Sequence, residues 1–130
     1  MTRRLRVLVA EDDTSIQRVT EVILKDLGCE VFVASTGQEA LDRARSRPRM
    51  VVVEIILPDA SGLEICRKIH RMCPRAPILL LSGKGPSLLA QSVESSKEIA
   101  RGYGASDFLT KPFEIAELRD WFTRWIEEIR

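Results

Sequence analysis

The stretch MVVVEIILPDASG, residues 50–62, decides the fold of this chain. It starts as an apolar run with three valines, reaches the acid Glu54, and then breaks into a turn bounded by Pro58 and Gly62. A continuous apolar run of this kind is typical of a strand that is covered on both faces in a parallel sheet. Because ligands bind at the carboxyl ends of such strands, Glu54 is a candidate functional residue.

The length and composition predict one globular domain that spans residues 1–130. Hydrophobic residues make up 45% and charged residues 30%, and 20 Lys+Arg against 19 Asp+Glu give a net charge of +1. This balance does not call for a nucleic acid or a membrane as partner. The apolar run at 7–10 is too short for a signal peptide, and the three cysteines lack metal-ligand spacing, so we expect a cytoplasmic protein with reduced thiols.

Apolar runs and helical periods alternate along the whole chain, and they predict five strand–helix pairs with short connections. By the right-handed crossover rule, this order gives an α/β fold with a five-stranded, doubly wound parallel sheet. Strands are predicted at 5–10, 30–34, 50–54, 78–81 and 107–110, and helices at 14–27, 61–73, 89–100 and 114–129, together with a short second helix that opens at 35–37, runs through Ala44 and ends before Pro48.

Two local patterns refine the first and last helices. Thr14 and Gln17 have the spacing of a capping box at the start of the first helix. On the last helix Trp125 is predicted in the core, whereas Trp121 lies beside the apolar stripe and could widen it or form an exposed partner surface. The predicted stripe consists of Ile115, Leu118, Phe122, Trp125 and Ile129.

Polar residues lie at the carboxyl ends of four of the predicted strands. These residues are the acids at 11–13, Glu54, Ser82 and Lys111, and in a doubly wound sheet they share one edge. Converging carboxylates repel one another unless a cation lies among them, and Mg²⁺ prefers such oxygen ligands together with a phosphate. Lys111 and Ser82 supply a positive charge and a hydroxyl donor for phosphoryl oxygens. The edge is therefore predicted to be a phosphoryl site.

These motifs together resemble the receiver domains of two-component response regulators, of which CheY is the simplest member. The resemblance rests on VLVAEDD at 7–13, on Glu54 with Pro58 and Gly62, on LLS at 80–82 and on GASDFLTKPF at 104–113. It covers the whole chain and implies the flavodoxin-like (βα)5 receiver fold. It also implies signalling in a phosphorelay rather than an enzyme activity of the domain's own.

The resemblance implies a metal site in this sequence. Glu11 and Asp12 match the acidic pair that binds Mg²⁺, and the strand-three acid Glu54 and the backbone carbonyl of Ile56 complete the implied ligand set. Asp13 is interpreted as a helix-capping acid or a bystander rather than as a ligand. The side chain of Glu54 is one methylene longer than the aspartate that the family has at this position, and it is expected to weaken Mg²⁺ binding.

The resemblance also assigns switch residues. Ser82 matches the hydroxyl that moves towards the phosphoryl group, and Phe108 matches the rotating aromatic residue. Lys111 matches the invariant lysine, which precedes a proline that is often cis in the family. The implied partners are a histidine kinase or phosphotransfer protein, and an output protein that contacts the fourth and fifth helices and the fifth strand. A monomer or weak homodimer is expected.

The chain departs from the family pattern at the decisive position, because Glu54 stands where the family has the phosphoacceptor aspartate. Glu54 is predicted to block phosphorylation or to mimic it. Two alternatives stay open, namely slow phosphorylation of Glu54 and a small Mg²⁺-dependent phosphatase that uses Glu11 and Asp13. In a second departure, the segment 83–110 is longer than the family pattern, and the extra residues are expected to extend a loop or the fourth helix. Two interpretations stay open, namely a changed choice of partner at the output surface and a tolerated surface insertion.

Overall fold

A computed structural model describes residues 4–82 and 93–129, and in these residues five strands alternate with five helices. The predicted α/β order is confirmed. The predicted start of the fourth helix at 89 lies outside the described residues, as does part of the unusually long segment. The strands are β1 (Arg6–Ala10), β2 (Glu30–Ala34), β3 (Met50–Glu54), β4 (Ile78–Ser82) and β5 (Asp107–Thr110), and the helices are α1 (Thr14–Asp26), α2 (Gly37–Ala44), α3 (Gly62–Met72), α4 (Val93–Gly102) and α5 (Ile115–Ile129).

The strands form one parallel sheet in the order β2-β1-β3-β4-β5, which confirms the doubly wound topology. Strand β3 lies in the centre, and every residue of β3 and β4 is buried. The continuous apolar runs in these two strands are explained by the helices that cover both faces of the sheet. No helix in the described part of the chain is long and apolar enough to cross a bilayer.

Side chains that alternate along the strands fill two separate cores. Val51 and Val53 of β3 belong to the core that also contains Phe108 and residues of α2 and α3. Val52 belongs to the other core, which contains Leu24 of α1 and residues of α5. The central strand therefore holds both layers together, and its carboxyl end is fixed in position by packing on two sides.

The predicted capping box at Thr14 is wrong, because Asp13 is the N-cap of α1. The Asp13 carboxylate accepts hydrogen bonds from the backbone N–H groups of Ser15 at 2.9 Å and Ile16 at 3.2 Å. A carboxylate just before the helix can satisfy two of its unpaired N–H groups, so it replaces the hydroxyl of Thr14. The side-chain amide of Gln17 instead donates to the backbone carbonyl that follows β1.

Of the two tryptophans on α5, Trp121 widens the apolar stripe, which is one of its two predicted placements, whereas Trp125 lies only partly in the core where full burial is predicted. Trp121 is 2% exposed and belongs to the core, whereas Trp125 is half-buried, and Ile115 is exposed at the start of the helix. The apolar side of α5 is turned so that the larger ring of Trp121 packs edge-on against Phe122, with 5.7 Å between ring centroids. The buried residues of α5 are Leu118, Trp121, Phe122 and Ile126.

Candidate functional site at the carboxyl edge of the sheet

Four predicted site residues lie at the carboxyl edge of the sheet. Glu11 directly follows β1, Glu54 ends β3, Ser82 ends β4, and Lys111 directly follows β5. Because the strands are parallel, their carboxyl ends meet on one side, as the sequence pattern predicted. Within this group, the structure brings the side chains of Glu11, Glu54 and Lys111 into direct contact.

The Lys111 ammonium lies between two buried carboxylates. Its Nζ atom is 3.2 Å from Oε2 of Glu54, and it donates a hydrogen bond to Oε1 of Glu11. The exposed side-chain fraction is 15% for Lys111, 6% for Glu54 and 0% for Glu11. A buried carboxylate is costly unless it is paired, so one lysine neutralises part of the charge that two acids bring into the site.

The charge balance of this group is incomplete. Burial raises the pKa of Glu11 from 4.5 to about 7, although the hydrogen bond and charge of Lys111 act in the opposite direction. Oε2 of Glu11 has no hydrogen-bond partner among the described residues, which agrees with a carboxyl group that readily holds a proton. Burial lowers the pKa of Lys111, but the hydrogen bond and charge of Glu11, followed by Glu54, outweigh it and raise that pKa above its ordinary value.

The two predicted switch residues, Ser82 at the end of β4 and Phe108 in β5, are both buried. Ser82 is buried, and its backbone carbonyl accepts a hydrogen bond of 2.7 Å from the backbone N–H of Lys111, which fixes the end of β4 next to the lysine. The Phe108 ring is 1% exposed and points into the core. The bond between Lys111 and Pro112 is cis, as the resemblance implied.

The predicted Mg²⁺ ligands are not arranged as a metal site. Asp12 is exposed, and the carboxylates of Glu11 and Glu54 contact Lys111. Within residues 4–82 and 93–129, no three His, Cys, Asp or Glu side chains lie close enough together to hold a metal ion. Ile56 lies in the following turn with an exposed side chain. As placed, these residues do not fit a Mg²⁺ ion, because an ammonium group already occupies the position between the acids.

Gly62 allows the turn after Glu54 to close. A Cβ atom at this position would lie 2.0 Å from the backbone oxygen of Glu54 and 2.7 Å from Cα of Ile55. The turn is further held by an antiparallel bridge between Ile56 and Ser61. Since backbone atoms cannot move aside as a flexible side chain can, any side chain at position 62 would displace the end of β3 and the carboxylate of Glu54 with it.

Asp59 has a role that the sequence did not indicate. Its carboxylate accepts hydrogen bonds from the backbone N–H groups of Gly37 at 2.7 Å and Gln38 at 3.0 Å, at the start of α2. These two bonds lower the pKa of Asp59. The contact joins residues 22 positions apart, so no local pattern in the sequence predicts it. It ties the turn after β3 to the neighbouring helix.

The fold and the site together define a doubly wound α/β domain with an acid–lysine site at the carboxyl ends of its strands. The family model of the response regulator receiver domain matches residues 7–123, and the chain belongs to this family. The domain is thus a receiver of two-component signal transduction. Receiver domains interact with histidine kinases and output domains, and they generally bind Mg²⁺ at their phosphorylation site.

Curated relatives agree with this assignment. The chain is 35% identical over 123 residues to the alkaline phosphatase synthesis transcriptional regulatory protein SphR of Synechococcus elongatus, covering 87% of this chain and 45% of SphR. It is 38% identical over 114 residues to the KDP operon transcriptional regulatory protein KdpE of Escherichia coli, covering 87% of this chain and 47% of KdpE. The chain thus spans slightly less than half the length of these relatives.

Solved structures show the same fold over nearly the whole chain. A CheY-like receiver domain protein from Methanospirillum hungatei superimposes with a TM-score of 0.82 at 28% identity, covering 97% of this chain and 96% of that one. The BeF3-activated DrrB receiver domain superimposes with a TM-score of 0.81 at 31% identity, covering 96% of this chain and 99% of that one. The predicted flavodoxin-like fold is thereby confirmed.

Proposed function

We propose that this receiver signals without phosphorylation, with Glu54 at the phosphoacceptor position acting as a fixed negative charge that Lys111 holds. The carrying observation is the 3.2 Å contact between Lys111 Nζ and Glu54 Oε2 inside a buried site. In a receiver, this lysine is the residue that the resemblance assigns to the phosphoryl group. A carboxylate already bound by it supplies a permanent substitute for that negative charge.

The geometry of a glutamate also disfavours the transfer reaction. Compared with aspartate, its extra methylene group moves the carboxylate by roughly 1.5 Å, and a misplacement of about 1 Å can cost on the order of a hundredfold in rate. Glu54 is in addition almost fully buried, and its carboxylate contacts Lys111. A nucleophile held in this way is a poor acceptor for an incoming phosphoryl group.

The positions of Phe108 and Lys111 support an active-like state. The resemblance implies that the aromatic residue of β5 turns inward when a receiver is activated, and the ring of Phe108 is buried in the core. Lys111 directly follows the same strand and binds the acid that ends β3. We infer that the surface of α4, β5 and α5 is held in the conformation that an output protein recognises.

Mg²⁺ has no step in this proposal, because an ammonium group lies between the acids. The ligand set of Glu11, Asp12, Glu54 and Ile56 stays a prediction, and titration calorimetry with MgCl₂ tests it. We expect binding in the wild type to be weaker than in Glu54→Asp, whose shorter side chain leaves room between the carboxylates. Equal affinities in the two proteins would contradict the weakening effect of Glu54.

The phosphatase alternative is not supported by the placement of its two acids. Glu11 is buried and contacts Lys111, and Asp13 caps α1 with both of its hydrogen bonds directed at the helix backbone. Neither carboxylate is arranged to act as a nucleophile. A cytoplasmic location, a histidine kinase or phosphotransfer protein upstream, an output protein downstream, and a monomeric or weakly dimeric state remain predictions from the sequence.

Intact-mass spectrometry after incubation with acetyl phosphate and Mg²⁺ tests the proposal. The wild type is expected to show no phosphoryl increment, and Glu54→Asp is expected to gain one, because the acceptor then returns to the family position. A stoichiometric adduct on Glu54 would overturn the proposal and support slow phosphorylation. An unlabelled Glu54→Asp variant would contradict the view that Glu54 alone blocks the reaction.

The active-like state has a separate test in amide NMR spectra. We expect the β5 and α5 signals of the wild type to match those of the phosphorylated Glu54→Asp variant more closely than those of its unphosphorylated form. Glu54→Gln, which keeps the size but loses the charge, is the matched control and should resemble the unphosphorylated form. If the wild type and Glu54→Gln coincide, the fixed charge has no effect on the output surface.

A further inference from the structure

A pocket of about 490 Å³ lies at the opposite edge of the sheet from Glu54, at the amino ends of β3 and β4. The turns that precede these strands form it together with the end of α5. Its volume lies within the range of typical ligand sites. The residues that matter most are the arginines Arg47, Arg49 and Arg75 and the apolar residues Met72, Pro74 and Ile129.

The three arginines of this pocket carry charges that the described part of the molecule does not neutralise. Arg47, Arg49 and Arg75 are exposed, and none of them forms an ion pair within residues 4–82 and 93–129. In the sequence, arginine occupies every second position from 43 to 49. A guanidinium group binds carboxylates in a two-pronged geometry, so this concentration favours an anionic partner.

The backbone at Arg47 adopts a conformation that is unusual for arginine. Its φ angle is +56°, in the left-handed region, and its N–H donates to the carbonyl of Ala44 just after α2. Glycine or asparagine usually ends a helix in this conformation, since other side chains are disfavoured there. The chain nevertheless carries an arginine at this position, and this arginine lines the pocket.

We propose that this pocket binds an acidic peptide segment of a partner protein, with one large apolar side chain in the pocket and Asp or Glu residues against the three arginines. The wall of Met72, Pro74 and Ile129 suits an aliphatic or aromatic side chain, and the arginines suit flanking carboxylates. Nucleic acid fits less well, because the lining has no aromatic side chain for base stacking and the chain has a net charge of only +1. The site lies at the opposite end of β3 from Glu54.

The test begins with selection from a library of random ten-residue peptides displayed on phage, with the full chain as bait. The triple variant Arg47→Glu, Arg49→Glu, Arg75→Glu serves for counterselection. We expect the selected peptides to carry at least two acidic residues beside a Leu, Ile, Met or Phe. A selected set without acidic residues would overturn the proposal.

Binding of one selected peptide, made synthetically with a fluorescent label, is then measured by fluorescence anisotropy. We expect the triple variant to bind at least about tenfold more weakly, and binding to the wild type to weaken as NaCl is raised. The matched control is Arg45→Glu, which makes the same charge change in the same segment at an exposed arginine that does not line the pocket. It should retain affinity within about twofold.

Arg47→Gly separates binding from folding. Glycine suits the left-handed backbone, so we expect an unchanged or higher melting temperature together with an affinity that is about threefold or more weaker. Equal peptide binding by the wild type and the triple variant would overturn the proposal. Displacement of the peptide by a single-stranded oligonucleotide of equal affinity would do the same, since it would assign the surface to nucleic acid.

Discussion

The two edges of the sheet handle charge in opposite ways. At the carboxyl edge, Glu11 and Glu54 are buried, and the half-buried Lys111 contacts both of them. At the amino edge, Arg47 and Arg75 are exposed and form no ion pair with the described residues. Buried charges must be neutralised within the molecule, so changes there alter stability, whereas exposed charges can be neutralised by a partner at little cost to folding.

Among the variants that test this difference between the edges, Lys111→Met should cause the largest loss of unfolding free energy. The variant leaves Glu11 and Glu54 buried without their cation, and loss of one partner from a buried ion pair costs about 3–5 kcal/mol of unfolding free energy. Urea unfolding at neutral pH measures the loss. The loss should shrink at lower pH, because Glu11, whose pKa is raised to about 7, then takes up a proton and loses its charge.

Lys97→Met is the matched control for that variant. Lys97 lies 3.6 Å from Asp107, and both side chains are more than one-fifth exposed. Its loss should cost less than about 1 kcal/mol. Similar losses for the two lysine variants would mean that burial does not distinguish the carboxyl edge.

Gly62→Ala should cause the next largest loss of stability. Its Cβ atom would lie 2.0 Å from the Glu54 backbone oxygen, so the end of β3 has to move, and we expect a loss of about 3 kcal/mol or more. Thermal unfolding by calorimetry measures it. Gly102→Ala is the control, since its Cβ atom would have no neighbour within 4 Å, and stability should stay equal or rise. A mild effect of Gly62→Ala would show that the turn is less rigid than its contacts indicate.

Glu11→Gln tests the buried carboxyl edge through the pH dependence of the unfolding free energy. The pKa of Glu11 is raised from 4.5 to about 7, so the unfolded chain loses this proton at lower pH than the folded protein. Between about pH 5 and pH 7 the folded state therefore holds more protons, and the stability due to this group falls with rising pH by about 2 kcal/mol. Urea unfolding across this range should show the slope in the wild type and not in Glu11→Gln. Glu30→Gln, at an exposed glutamate, should keep it.

The smallest change in stability is expected at the amino edge. Arg49→Glu and Arg75→Glu alter exposed side chains without ion pairs in the described chain, so each should change the unfolding free energy by less than about 0.5 kcal/mol. Urea unfolding under the same conditions as for Lys111→Met gives the direct contrast. A loss above about 1 kcal/mol would mean that these arginines support the fold, which would remove the distinction between the two edges.

Most of the fold could be predicted from local patterns. The valine run of β3 and the acids and lysine at strand ends follow rules that depend only on neighbouring residues and on parallel topology. The prediction of five strand–helix pairs therefore held, and so did the meeting of Glu54 and Lys111 at one edge. The same rules explain why the helix caps at Thr36 and Ser61 agree with the predicted helix starts.

The features that sequence reasoning missed depend on tertiary contacts. Asp59 binds a helix start 22 residues earlier, and Glu11 meets a lysine 100 residues later, where a metal ion had been expected. The full burial of Trp121 and the only partial burial of Trp125 depend on how α5 is rotated against the sheet, which a stripe of apolar residues does not define closely enough to rank the two rings. The repeated arginines before β3 were a visible signal, but only the fold shows that Arg75 joins them.

The central position of β3 has a consequence for measurement. Its amides are enclosed between β1 and β4, and its side chains are buried on both faces of the sheet. Such amides exchange with deuterium mainly when the whole domain opens, so their rates report the global free energy of unfolding. The exchange rates of the amides in β3 thus measure the stability of the whole domain. Deuterium uptake by β3 can report how much each variant loosens the domain under native conditions, without a denaturant.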